Sequence, residues 1–595
     1  MTRTSYRCSL RRVTSPPTLE ALFFSGHHRQ ILGQTVDSPS GEYADDDVPF
    51  IVGSLVFTGR VDEALTVFRA WSRAHPRAIG QLAAARFFLC VAEARAGRYR
   101  AAERLCSQTL LEVCGKDEPR ARFFLHQGLG IIRHFTGRIA SAARHASRAR
   151  RHALESKFPY GRMLALDLLG HARVHYGRVL SGLAILEQAS ELADSIGLHD
   201  FSMTSRSAWI AYRSFFGGVT TDSMTGLETH LERLGDQDRY SRRLVATELA
   251  RALAYRGEAE QAALALERAE EVALPDGDRR AKVKLYLAHA LLAGLAGGES
   301  AAIEPLERAD ALVKAEEDLA LLVEMAWYEY LVAPSLFANR SAGDLFRIAA
   351  RTGIARAEDL ALSRSGAPPR PRSEDRFAAL VRAVRDGSGP TGAIVEGGLL
   401  GLLPLSMGLV PKKRIYIGAA HRFLATEDHG NVRRRELPTE ARLELLRTLA
   451  RGAWTKEELI RDVWRLNVYR PQQHDAVVHT AISRLRTDLE PHSGWIVAGG
   501  AGFSLAPGVE LVELLSQGNI VASLVPSVPA SEPKLDARRA AVLGRVAVGE
   551  TSTGEVAKLL GVSELTSRKL LSALVDEGQL ERIGTGKSTR YVRSQ

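Results

Sequence analysis

Thr480, Ser483, Arg484, Arg486 and Thr487 recur along one side of a single stretch of the 595-residue chain, with His479 beside them. Hydroxyl, imidazole and guanidinium groups at this spacing suit hydrogen bonding to base edges and phosphate oxygens, not covalent chemistry. A second polar set follows nearer the end of the sequence: Ser567, Arg568 and Lys569, then Arg582, Lys587 and Arg590. The last three surround Gly584-Thr-Gly-Lys-Ser588, where they are placed to clamp phosphates. That loop also invites comparison with a nucleotide-binding loop, but the full motif needs a glycine where Glu581 stands. It also needs a helix after the lysine, and Thr589-Arg-Tyr-Val592 reads as a strand.

Patterns for catalysis are lacking in the sequence. Its 17 histidines form no H-E-x-x-H or similar metal spacing, and there is no G-x-S-x-G elbow. His27-His28 stands in a stretch without periodicity and is expected to be solvated. The chain is therefore expected to be no enzyme, with no cofactor and no metal. Its formal net charge of +10 favours a polyanionic partner without identifying one.

The elements that position the first set are legible over 412–507. Arg414-Ile-Tyr-Ile417, Arg422-Phe-Leu424 and Asn431-Val-Arg-Arg-Arg435 read as short strands. A helix bearing Leu443, Leu446 and Leu449 follows. A second helix opens on the capping box Thr455-Lys-Glu-Glu458 and buries Leu459, Val463 and Trp464. A third, from about Gln473 to Leu489, turns Val478, Ile482, Leu485 and Leu489 inward and leaves the polar set outside. Trp495-Ile-Val-Ala498 and Gly499-Gly-Ala-Gly-Phe503-Ser-Leu505 then form a hairpin. Glu457-Glu-Leu-Ile-Arg-Asp-Val-Trp464, Ile482-Ser-Arg-Leu-Arg486 and Gly500-Ala-Gly-Phe503 resemble the C-terminal effector domain of OmpR/PhoB-type response regulators. The resemblance implies that the third helix enters the major groove and that the hairpin wing touches the minor groove or backbone. Gly499 replaces the arginine usual before the wing glycine, which leaves this wing poorly charged.

Over 535–595 the sequence reads as helix Asp536–Val548, helix Ser552–Leu560, the turn Gly561-Val-Ser563 and helix Glu564–Glu577. Strands Gln579–Ile583 and Thr589–Val592 close the module. It resembles the winged helices of MarR- and DeoR-like regulators, which implies that Ser567, Arg568 and Lys569 face DNA. A protein-docking winged helix is the alternative for this module, and a protein-protein scaffold in which the winged helices dock onto proteins is the alternative for the chain.

The first two-thirds of the chain is a repeat. A glycine closes an apolar helical stretch at Gly59, Gly97, Gly137, Gly177, Gly217, Gly257 and Gly297, spaced 38 and then 40 residues five times over. Five residues on stand Ala64, Ala102, Ala142, Gly182, Ala262 and Ala302; twelve on stand Ala149, Ala189, Ala269 and Ala309. Small residues at fixed offsets let a hairpin partner approach closely. Gly257-Glu-Ala-Glu-Gln-Ala262-Ala-Leu-Ala-Leu266-Glu-Arg-Ala269 resembles the second helix of the tetratricopeptide repeat, over about 47–355 in seven or eight units. That resemblance implies a curved α-solenoid whose groove holds a protein, peptide or small ligand. Phe135, Tyr176, Phe215, Phe216 and Tyr255, just before marker glycines, are expected to pack in the core.

The expected fold is therefore mainly α: a tetratricopeptide-like solenoid followed by two small α+β winged helix-turn-helix domains. The expected divisions are 1–46, an irregular N-terminal segment; 47–360, the array; 361–411, linker and connector; 412–507 and 535–595, the winged modules; and 508–534, a linker. The apolar run Ala393–Val410 carries Glu396, four glycines and Pro404, and is expected to be a buried connector with no membrane role. The basic N-terminus lacks the apolar run of a signal peptide, and four cysteines form no C-x-x-C pair. These point to a cytoplasmic, reducing setting and to double-stranded DNA and a protein or peptide as partners.

Overall fold

The computed structural model describes residues 17–37, 44–113, 116–198, 208–209, 212, 221–234, 239–272, 279–313, 317–368, 370, 374–388, 391–409, 412–418, 422–500, 502–514, 520–524, 531–585 and 589–594. Cys8, Cys114, Phe215, Phe216, Gly217 and Lys587 lie outside them. The chain divides into two compact units, Met1–Val410 and Pro411–Gln595.

Unit one is a stack of antiparallel helical hairpins. Ile79–Arg95 pairs with Tyr99–Val113, Pro119–Phe135 with Ile139–Glu155, Pro159–His175 with Val179–Ser195, Arg239–Arg256 with Ala259–Glu271, and Arg279–Gly297 with Glu299–Asp310. The marker glycines make the turns: Gly137 has φ +80° and Gly257 φ +86°, a left-handed conformation that a side chain disfavours. In one repeat the marker shifts. Gly297 ends the helix and Gly298, at φ +84°, makes the turn. The small residues lie where the helices of a hairpin meet. Ala64, Ala102, Ala142, Ala262 and Ala302 are fully buried. A Cβ on Gly170 would meet Leu186 Cγ at 2.7 Å.

Two expectations fail at the start of the chain. Residues 17–37 are not irregular: Leu19–Phe24 and His28–Gln34 are helices that cap the first hairpin, Val48–Phe57 with Val61–Ala74. Phe23 and Phe24 join Phe50, Phe88 and Phe158 in one aromatic cluster. His28 is buried, not solvated, stacked on Phe57 at 5.1 Å; His27 is exposed. Among the aromatics before the turns, Tyr255 is buried as expected. Tyr176 is 47 % exposed and so is not a core residue.

The later part of the array meets the earlier part. A Cβ on Gly137 would lie 2.9 Å from the backbone N of Ala320, one on Gly177 2.9 Å from Ala355 Cβ, and one on Gly97 would strike the Arg279 guanidinium. Ile139, Ala142 and Ala172 share a core with Val323, Ile354 and Ala357. Successive coils of the stack therefore touch along the hairpin turns. Residues 374–388 and 391–409, expected as linker and connector, continue the folded unit. Asp375 caps helix Arg376–Arg385 through the Ala378 N–H at 2.8 Å, and Phe377, Val381, Ile394, Leu402 and Leu403 are buried. No described helix is long and apolar enough to cross a membrane.

Unit two begins with β1 (Lys413–Gly418), β2 (Phe423–Asp428) and β3 (Asn431–Glu436), followed by α1 (Glu440–Ala450), α2 (Lys456–Asp462) and α3 (Pro471–Asp488). A hairpin of β4 (Ile496–Gly499) and β5 (Gly502–Leu505) forms the wing. The segment expected as a linker then supplies β6 (Val509–Leu514) and β7 (Ile520–Leu524). They complete a five-stranded sheet of order β3-β2-β1-β6-β7, with β1 and β6 parallel. Val509-Glu-Leu-Val-Glu-Leu514 carries this strand, burying Val509 and Leu511 in the module's core. The second module comprises α4 (Ser531–Ala547), α5 (Thr553–Leu560), α6 (Glu564–Asp576) and the hairpin β8 (Leu580–Ile583) and β9 (Arg590–Arg593). Val542, Val556, Leu571, Leu574 and Tyr591 form its core.

Candidate nucleic-acid interface

α3 is fixed on three sides before its outer face is free to act. Its buried stripe of Val478, Ile482 and Leu485 packs into the module core. Asp475, on its first turns, accepts from Lys456 Nζ of α2 at 2.6 Å and from the Tyr469 hydroxyl, and these two bonds hold its carboxyl below the usual range. Asp488, at its end, receives Arg442 of α1 at 2.8 and 2.6 Å. α2 is pinned by the expected capping box between Thr455 and Glu458. The wing is tied in by reciprocal backbone bonds between Trp454 and Phe503, at 2.9 and 2.8 Å. Gly502, at φ +116°, is required there because a Cβ would collide with the Trp454 carbonyl.

His479, Thr480, Ser483, Arg484 and Thr487 all lie exposed on the resulting face. Among the described residues no hydrogen bond or ion pair engages the Arg484 guanidinium. His479 also sets its ring edgewise on Phe503 of the wing at 5.9 Å, and Thr487 bonds back to the Ser483 carbonyl. Arg486 departs from its expected place. It is half-buried, and its guanidinium donates to the Ile496 carbonyl at 3.2 and 2.8 Å, bracing the wing against α3. The wing tip offers Gly499 and Gly500, open and uncharged.

In the second module Arg568 and Lys569 are exposed on α6 and Arg582 is exposed on β8. Ser567 is fully buried beside Leu571 and Leu574, so it is a core residue and not a DNA contact. Arg590 lies 3.7 Å from Glu555, which diverts part of its charge. After the described part of the 584–588 loop comes strand β9, not a helix.

The two modules meet through residues that were expected to serve each module separately. Glu457 of α2 accepts from the Ser563 N–H and the Thr566 hydroxyl, both at 3.2 Å, at the N-terminus of α6. Glu458 accepts from Arg538 of α4 at 2.8 Å. Burial would raise the Glu458 carboxyl, but the Thr455 backbone bond and Arg538 outweigh it and the net shift is downward. Only the charge signs, two adjacent glutamates and an arginine-rich α4, hint at this contact in the sequence.

The fold is thus a helical-hairpin array joined in sequence to two three-helix modules, each carrying a two-stranded wing. Residues 534–594, the second of these modules, match the family model described as the C-terminal domain of DIP2311-like transcriptional regulators. Among solved structures, a Rap protein complexed with competence and sporulation factor is similar at 12 % identity and a TM-score of 0.40, covering 56 % of this chain and 97 % of that one. No curated protein matches the chain.

Proposed function

We propose that the chain is a DNA-binding transcriptional regulator of the cytoplasm, acting without catalysis. In this reading the array receives a protein, peptide or small ligand, and the winged modules hold promoter duplex. The carrying observation is the outer face of α3, where Thr480, Ser483, Thr487 and the unpaired Arg484 stand exposed on a helix braced from three sides. Such a helix fits the major groove, and its polar groups suit base edges and phosphates. The OmpR/PhoB-type likeness of 412–507 and the transcriptional-regulator match of 534–594 support the same assignment. The test is selection of duplexes from a random pool by the full chain, followed by titration on the selected and a scrambled sequence. A regulator prefers the selected duplex by orders of magnitude at physiological salt.

A second reading has its own observation. Glu457 already fills the N-terminal end of α6, so the second module has a protein group where a phosphate would otherwise sit. That favours a protein-docking role for this module, with the first module alone reading DNA.

A further inference from the structure

We propose that the edge strand β3 and Arg422, just ahead of β2, form a second DNA-backbone surface, seating phosphates that flank the site read by α3; the proposal rests on the DNA-binding reading above. Arg433, Arg434 and Arg435 are consecutive and all exposed on β3, at the free edge of the sheet. A half-buried edge strand that only needs protection from pairing is served by a single charge; three in a row exceed that need. Arg434, Arg435 and Arg422 line a cleft of about 800 Å³ whose far wall is Thr487 and Asp488 of α3. Thr487 belongs to the exposed stripe of Thr480, Ser483 and Arg484, so the polar track along α3 runs without a break into the basic cleft.

The charge balance favours an anion. Asp488 is already neutralised by the paired bonds from Arg442. Arg435 spends one nitrogen on the Glu490 carbonyl at 2.7 Å, which anchors the strand beside the end of α3. Among the described residues no ion pair or hydrogen bond engages the side chains of Arg422, Arg433 and Arg434, and Glu436 is the one uncompensated acid in the lining. Guanidinium groups that stay charged at any physiological pH and present forked donors match phosphate oxygens. A duplex supplies such phosphates at regular spacing beside an inserted helix, in a register a free anion lacks.

The experiment compares the wild-type full chain with the Arg433→Ala/Arg434→Ala double variant by fluorescence anisotropy on selected and scrambled duplexes over a range of salt concentrations. Both side chains are exposed, so circular dichroism and melting should match wild type. Affinity should fall on both duplexes alike, on the order of ten- to a hundred-fold at about 0.1 M salt. The slope of log K against log salt should shrink by about two. The Arg433→Lys/Arg434→Lys variant should keep the wild-type slope. Unchanged affinity and slope in the double alanine variant, with wild type binding normally, overturn this surface. So does loss confined to the selected duplex, or loss that tracks self-association by sedimentation with an unchanged slope, which would make β3 an edge for a second copy. Failure of the wild-type chain to bind any duplex instead removes the DNA-binding reading itself.

Discussion

The Glu457 carboxylate accepts the backbone N–H of Ser563, the N-cap residue of α6, at 3.2 Å, and so one module closes the helix end of the other. A carboxylate there is favoured by the helix dipole by about 0.3–1 kcal/mol. A DNA phosphate would be favoured at the same end for the same reason. Glu457→Gln removes the charge and keeps the shape. If α6 engages DNA, the variant should bind duplex several-fold more tightly at low salt, because it no longer competes for that end. Affinity equal to wild type in an anisotropy titration would show that α6 takes no phosphate and would support the protein-docking reading.

Arg484 can be changed without touching the core, since Ile482 and Leu485 carry the buried stripe. Arg484→Ala should leave melting unchanged and weaken binding to the selected duplex by roughly 1–3 kcal/mol if the side chain reads a guanine edge. If it meets only phosphate, the loss should be equal on scrambled DNA and the salt slope should drop by about one. No change on either sequence would remove Arg484 from the interface.

In the array, Gly257 holds φ +86° and Ala262 is fully buried five residues later. Gly257→Val should cost on the order of 1–2 kcal/mol through backbone conformation alone. Ala262→Trp should melt the surrounding hairpins by overpacking. Wild-type thermal melting in both variants would contradict the roles assigned to these positions.

The 40-residue register was legible because turn and packing constraints repeat in every hairpin, and errors of one residue, as at Gly298, stay local. The capping box at Thr455 and the buried stripe of α3 were legible because both are set within a few residues. β6 was not, because Val509–Leu514 breaks the period of two at Leu511-Val512 and its parallel partner β1 lies across the whole module. Ser567 belongs to the core although its residue type suits a DNA contact. Its spacing of four and seven from Leu571 and Leu574 places it inward, where its hydroxyl is buried with no hydrogen-bond partner among the described residues. Arg486 sits at the flank of the stripe, where only the position of the Ile496 carbonyl decides its use. The Glu457 contact depends on how two modules dock, which no local pattern encodes.

Acid should weaken the array. Burial, then His171 and Lys284, push the His175 imidazole down to about 3; burial, then His145 and His152, do the same to His126. In the unfolded chain both titrate near 6.5. Above that pH neither state holds the proton and stability is complete. Below it the unfolded chain takes up protons that the folded chain refuses, so stability falls as pH drops from about 6.5 toward 3. The slope is roughly 1.4 kcal/mol per pH unit for each histidine. Tm should therefore be clearly lower at pH 5 than at pH 7.5. His175→Gln, which keeps an acceptor for the Tyr212 hydroxyl now 3.1 Å from Nε2, should reduce that difference. A Tm independent of pH over this range would contradict neutral burial of these rings.

The glycine turns that touch the next coil change what kind of object the array is. An open stack of hairpins passes load only to its neighbours and frays from its ends. Where Gly137 abuts Ala320 and Gly177 abuts Ala355, distant hairpins are clamped together like adjacent windings of a tightly wound spring. A shift in any one hairpin is then felt both along the chain and across it, at a point far away in sequence. The turns thus become gauges of the winding: a methyl group placed on Gly137 would press on Ala320 and pry the coils apart, as well as straining the turn of its own hairpin.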